Sequence, residues 1–177
     1  MKNILLIRHG QSEWNKLNLF TGFKNIELSS QGVEEANQAG QNFKELASYE
    51  FKTVESYETE KNNVLICANY LFNNPANQSD LNRLTSIQYI MKWMEGTPDY
   101  SFEIGEKAME LTKGNSDLLG LYLAAMSKVV LENKYEELNN QEVYDMAEEI
   151  LVNYCSNSNN KMKPSKKIKK IIKSRKN

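Results

Sequence analysis

The sequence predicts a mainly α protein: an antiparallel helical bundle or hairpin array, preceded by a strand–loop–helix segment. Three observations carry this. From Tyr57 onward apolar residues recur three and four apart almost without interruption. Capping residues and Gly/Pro/Asn stops punctuate that period, with helix starts expected near 55, 79, 101, 116, 140 and 164. The front differs, because the apolar run Ile4 to Ile7 breaks at Arg8-His9-Gly10 and polar residues follow.

The bulk properties set the frame. The chain has 177 residues, 40% hydrophobic and 25% charged, which is ordinary globular composition. The early apolar run is too short, and too soon interrupted by Arg8, for a signal peptide or membrane span, so a cytoplasmic protein is expected. Cys67 and Cys155 lie far apart without metal-ligand spacing and read as buried thiols in a reducing compartment; no metal site is expected. Nine of the 22 cations fall between Lys161 and Asn177, where there is no acid. The other 160 residues hold thirteen cations against 23 acids. No aromatic interleaves the tail lysines and no groove-reading motif precedes them. The tail is therefore expected to be a solvated terminal helix, a frayed end, or a helix docked on the acidic body, rather than to bind nucleic acid.

In chain order, Leu5-Leu6-Ile7 reads as a short buried strand whose end delivers Arg8 and His9 to a glycine-opened loop. His9 is the one histidine in the chain. Ser29 or Ser30 then caps a helix to about Leu46, with Val33, Ala36, Ala39, Gly40 and Phe43 as its stripe. Val64, Leu65, Ala68, Leu71 and Phe72 form the next stripe, stopped by Asn73-Asn74-Pro75. Ser79-Asp80 opens a helix with Leu81, Leu84, Ile87, Ile90, Met91 and Met94 inward, stopped by Gly96-Thr97-Pro98. Ser101 caps one through Leu111, which Gly114 ends. Ser116 caps a helix apolar nearly all round (Leu118, Leu119, Tyr122, Leu123, Met126, Val129, Val130), which is therefore expected at the centre. Asn140 opens a helix striped by Val143, Met146, Ala147, Ile150 and Leu151, and Pro164 precedes a lysine-rich one. The methionines Met91, Met94, Met109, Met126 and Met146 are expected as core fillers. Trp93, Glu95, Asp99, Tyr100 and Glu103 gather at one turn, where aromatics packing a helix joint are expected rather than a catalytic pocket.

The front stretch Arg8-His9-Gly10-Gln11-Ser12-Glu13-Trp14-Asn15 resembles the signature of the phosphoglycerate mutases, in the histidine phosphatase superfamily. The likeness continues through Phe20-Thr21-Gly22-Phe23-Lys24-Asn25 and Gly32-Val33-Glu34-Glu35-Ala36, weakening to about Phe51. It implies an α/β histidine-phosphatase fold for the segment and glycolytic isomerase chemistry. His9 would be the nucleophile carrying phosphate, Arg8 a phosphate-pocket arginine, and Asn15 a phosphate contact. Ser12, Thr21 and Gly22 would line the substrate. The residue types suit phosphate, since an imidazole accepts a phosphoryl group and a guanidinium offers paired donors. The family also supplies a second arginine, a glutamate proton carrier and a second histidine. None of those segments follows here; Lys113-Gly114-Asn115-Ser116 only echoes the last, with lysine in the histidine's place.

Residues from about 52 to 170 resemble an uncharacterised all-helical family through Lys92-Trp93-Met94-Glu95-Gly96-Thr97-Pro98-Asp99-Tyr100 and Lys113-Gly114-Asn115-Ser116-Asp117-Leu118-Leu119-Gly120-Leu121. That likeness implies a fold and no chemistry. Three segments are thus expected: a truncated mutase-like strand–loop–helix at 1–50, a helical bundle at 51–160 and a basic tail at 161–177. A natural fusion, a gene error and an assembled chimera fit this pattern equally. The expected function is a mutase-like segment fused to a helical domain without competent mutase activity. The alternatives are a non-catalytic helical scaffold or binding module, and a phosphoglycerate mutase or histidine phosphatase working through phosphohistidine at His9. Phosphate or phosphoglycerate is the expected partner, held weakly; no membrane is expected. No cofactor is expected either, with 2,3-bisphosphoglycerate entering as primer only if mutase activity survives.

Overall fold

A computed structural model describes residues 43–113, 115–133 and 138–175. The chain divides into two compact units, Met1–Leu46 and Ala47–Asn177. Described residues of the first are helical, as are residues 47 and 48 at the start of the second. The strand–loop segment expected before them lies outside the described residues. Among the described residues the protein is mainly helical, with no strand.

The second unit runs through α1 (Val54–Thr59), α2 (Lys61–Asn73), α3 (Leu81–Gly96), α4 (Glu106–Thr112), α5 (Ser116–Glu132), α6 (Asn140–Ser156), a 3-10 turn (Ser158–Asn160) and α7 (Lys166–Ser174). Most starts are fixed by side chains that satisfy the first free backbone N–H groups. Thr53 and Ser56 form a reciprocal capping box on α1. Asp80 caps α3 and Ser165 caps α7. Asn115 caps α5 by accepting from the N–H groups of Asp117 and Leu118. Asn139 and Glu142 form a second capping box on α6. The α5 cap stands one residue before the expected Ser116, because an Asx side chain reaches the N2 and N3 amides from there, while α6 opens at Asn140 as expected.

The centre is α5, as its all-round apolar pattern requires. Twelve of its residues are buried, from Leu118 to Leu131. It packs against α2, α3, α4 and α6, while α2 also packs on α3. Each fully buried Leu, Met or Val side chain stabilises the fold by about 1.5–3 kcal/mol relative to exposure. The basic tail is not frayed: α7 lies on α6 and α4, with Ile168 fully buried. Lys167 pairs with Glu110, and Arg175 with Glu149, so cations of the tail meet acids of the body.

The α3 face differs from expectation. Of the six residues expected inward, Ile90 alone is buried; Leu81, Leu84 and Met91 are exposed, and the covered face is Arg83, Ser86, Tyr89, Ile90 and Trp93. Both faces carry apolar residues, and the larger rings of Tyr89 and Trp93 decide which one turns in. The buried Arg83 earns its position as a cap. Its Nη1 donates to the carbonyls of Leu71 (3.1 Å) and Asn74 (3.5 Å) at the end of α2, and contacts the Tyr154 hydroxyl at 3.4 Å. Tyr154 in turn donates to the Asn74 carbonyl at 2.6 Å.

Two further expectations are corrected. Residues 101–105 are not helical, and Gly105, not Ser101, precedes α4. Phe102 packs beside Trp93, with ring centroids 6.0 Å apart, which holds this stretch across the end of α3 instead of in a helical turn. Of the five methionines expected as core, Met126 is buried, whereas Met91, Met109 and Met146 are exposed.

At the end of α3 the backbone of Gly96 meets the Tyr57 ring: a Cβ there would stand 2.0 Å from the Tyr57 hydroxyl. That ring is stacked on Phe51, with centroids 4.8 Å apart, and cannot swing away without breaking the stack. Gly96→Ala is expected to destabilise the protein by about 1–3 kcal/mol, read as a lowered urea midpoint with an unchanged helical circular dichroism spectrum.

Candidate functional site

The residues the sequence marks for phosphate chemistry, Arg8, His9, Ser12, Asn15, Thr21 and Gly22, all lie outside the described residues. The faint histidine-segment echo has a structural task instead, since Asn115 is the cap of α5. The helical unit must therefore be searched on its own terms.

Its polar clusters serve the fold. The Glu60 carboxylate accepts from the Tyr89 hydroxyl and from Asn63 Nδ2 at 2.6 Å. Burial first, and then Glu60, push the Tyr89 phenol far up, so it stays a neutral donor. Lys61 bridges Glu58 and Asp99, reaching Asp99 Oδ2 at 2.7 Å, with the Tyr100 ring beneath its ammonium. The hydrogen bond from Lys61 holds the Asp99 carboxyl below its ordinary range. In the Trp93 turn, the indole N–H donates to the Tyr57 carbonyl at 3.0 Å, and Tyr100 and Phe102 pack on the ring. Aromatics at a helix joint are what this turn was expected to hold.

Burial disfavours the nucleophilic thiolate at both cysteines. Cys67 and Cys155 are free and buried. Burial pushes the Cys67 thiol up to about 12, against a smaller opposing effect of the neighbouring Ser86 hydroxyl, and the Cys155 thiol up to about 11. Among the described residues no group of three or more His, Cys, Asp or Glu could hold a metal ion. No helix among them is long and apolar enough to cross a membrane.

Three hollows of this unit adjoin α5. One hollow of about 650 Å³ opens between α4 and the start of α5, lined by Glu106, Met109, Glu110, Lys113, Ser116 and Leu119 among others. A second, of about 170 Å³, joins Met91, Met94 and Glu95 of α3 to Phe102, Ile104 and Leu123. A third, of about 260 Å³, lies beside Leu84, Ile87 and Asp117. Sequence periodicity missed these surfaces, because it assigns the same α3 residues to the core. The exposed flank could have been found only by noticing that Arg83, Ser86, Tyr89 and Trp93 make a competing stripe.

Residues 4–56 match the histidine phosphatase superfamily (branch 1). The last stretch of that match, 47–56, belongs to the helical unit. Among curated proteins, a 2,3-bisphosphoglycerate-dependent phosphoglycerate mutase of Nautilia profundicola is 53% identical over 45 residues, covering 25% of this chain and 20% of the relative. A second mutase of that type, from Lactiplantibacillus plantarum, is 59% identical over 51 residues, 29% of this chain and 22% of its own. The Treponema denticola mutase is 62% identical over 37 residues, 21% of this chain and 15% of its own. The chain thus spans about a fifth of the length of the curated relatives it matches. No solved structure matches it.

The thiols set a pH dependence. Their ordinary value is 9.0 and the fold raises both, so the fold favours the neutral form. That contribution is fully present below pH 9.0 and is lost as pH rises toward about 11 and about 12. Unfolding free energies from urea titrations are expected to fall above pH 9.0, by about 1 kcal/mol per thiol near pH ~10. The Cys67→Ala, Cys155→Ala double variant should flatten this dependence. Both native thiols should resist a disulfide reagent until the chain is unfolded.

Proposed function

We propose that the front of this chain is a mutase-like phosphate-contact segment, cytoplasmic in setting, without competent phosphoglycerate mutase activity, and that the helical unit supplies no catalytic group to it. The observation that carries this is the coexistence of the Arg8-His9-Gly10 match with a single histidine in 177 residues. By resemblance, His9 would face the phosphorus and Arg8 and Asn15 the phosphate oxygens, with Ser12, Thr21 and Gly22 beside the substrate. Phosphoryl transfer relies on positioning and on neutralising the equatorial oxygens, so a site with one arginine and one imidazole holds phosphate weakly. Constellations of this kind lose orders of magnitude in rate when one member is missing.

Coupled assays with 3-phosphoglycerate and a 2,3-bisphosphoglycerate primer should show no turnover above background; turnover near that of an ordinary mutase overturns the proposal. Titration of phosphate or phosphoglycerate, followed at the His9 imidazole by NMR, should give a Kd of about 1 mM or weaker. Arg8→Ala should abolish the shift, because it removes the paired donors. No shift at tens of millimolar ligand would leave the segment without phosphate binding, and sub-micromolar affinity would mean a complete active site.

A further inference from the structure

On α5, Ser116, Leu119, Gly120 and Leu123 stand three and four residues apart and make one stripe about 10 Å long, two helical turns. Gly120 lets α3 approach: a Cβ there would stand 3.0 Å from Ile87 Cγ2. Three neighbouring hollows adjoin α5: Leu84 and Ile87 of α3 line one with Asp117, Met91 and Ile104 a second with Leu123, and Met109 a third with Ser116 and Leu119. Leu84, Met91, Ile104 and Met109 are between 39% and 56% exposed, which is high for large apolar side chains grouped on one face.

The charge around this surface is predominantly acidic, with buried Arg83 and exposed Lys113 as the cations in its lining. Glu95, Glu106, Glu110 and Asp117 line the hollows, with Lys113 as the exposed cation against them. The carboxylates of Glu95 and Glu106 make no ion pair among the described residues, while Glu110 is paired with Lys167. An apolar floor two turns long with acidic banks complements a helix that has an apolar stripe and basic flanks. The thioethers of Met91 and Met109 bend to fit varied side chains. A second copy of this chain is poorly suited. Its own basic amphipathic helix, α7, already lies on α4 and α6 with Ile168 buried.

We propose that the α3–α5–α4 groove docks a basic amphipathic helix of a partner protein, with apolar residues at i, i+3 or i+4, and i+7. This goes beyond the phosphate-contact reading of the front and stands independently of it. The occupant is a protein helix, selected by its lysines and arginines as much as by its leucines.

The probe is a labelled peptide of about 14 residues, leucine on one helical face and lysine elsewhere, titrated against the full chain by fluorescence anisotropy. A matched leucine/glutamate peptide serves as control. Saturable one-to-one binding of the lysine peptide is expected, with the glutamate peptide at least tenfold weaker. Met91→Glu with Ile104→Glu should weaken binding by about tenfold or more. Glu95→Lys with Glu106→Lys should weaken it by about fivefold and reduce its salt dependence. All four positions are solvent-facing, and unchanged circular dichroism and urea midpoints would establish that the variants fold. Equal binding of both peptides, or variants that bind like the parent chain, would falsify the proposal. So would a concentration-dependent dimer by light scattering that Met91→Glu dissolves, or crosslinks showing the groove filled by the chain's own residues.

Discussion

The helical unit depends on one constraint: α5 is apolar around most of its circumference and leaves water only a narrow strip near its ends. Twelve buried residues in a seventeen-residue helix leave almost no exposed perimeter, so the remaining helices take positions that cover it. α2 and α3 cover one side, α6 another, and the short α4 a third. What α4 and α3 leave between them over Leu119 and Leu123 is the acidic-banked groove. The candidate binding surface is therefore a by-product of how completely a central helix can be wrapped by four others.

That constraint also explains what could be read in advance. An all-round apolar helix has one solution, so α5 and its central place were legible from Leu118 to Val130. The basic tail was legible only as a choice between a solvated helix, a frayed end and a helix docked on the acidic body, since charge sign and a Pro-Ser start do not decide among them. The face of α3 was not. Leu81, Leu84, Ile87 and Met91 keep helical spacing as faithfully as Ser86, Tyr89, Ile90 and Trp93 do, and periodicity alone cannot say which stripe finds a partner. The buried Arg83 made the error worse, since an arginine marks a face as solvated unless one knows that free carbonyls at the end of α2 await it. Ser101 misled for the opposite reason: a good capping residue has no effect when Phe102 must pack on Trp93. Of the candidate phosphate residues, the match to known mutases rests on side-chain identity and order, from Arg8 through Gly22, and stands apart from the geometry of the helical unit.

The match and the structural division do not coincide. The family match runs to residue 56, ten residues past the boundary at Ala47. Within that overlap Tyr49 and Phe51 join an aromatic cluster with Tyr57 and Tyr89, and Thr53 caps α1. Lys92 of α3 donates to the Tyr49 carbonyl at 3.2 Å. Residues within the family match here form the opening turn of the helical unit. A segment boundary drawn from resemblance alone would cut through this aromatic cluster.

The bonds that tie the end of α2 to the far end of the chain have a bearing on how the protein is made. Asn74 receives Tyr154, which lies 80 positions later, and the Ala76 amide donates to the Asn160 carbonyl at 2.7 Å. Until those residues leave the ribosome, the α2–α3 turn lacks these two tethers and keeps the local ones, Arg83 on the Leu71 and Asn74 carbonyls and the Tyr70 hydroxyl on Asp80. A nascent chain halted anywhere before residue 154 would therefore carry a helix pair with a loose, hydrated corner. The last tethers of this corner are therefore supplied by the end of the chain and not by α2 and α3 themselves.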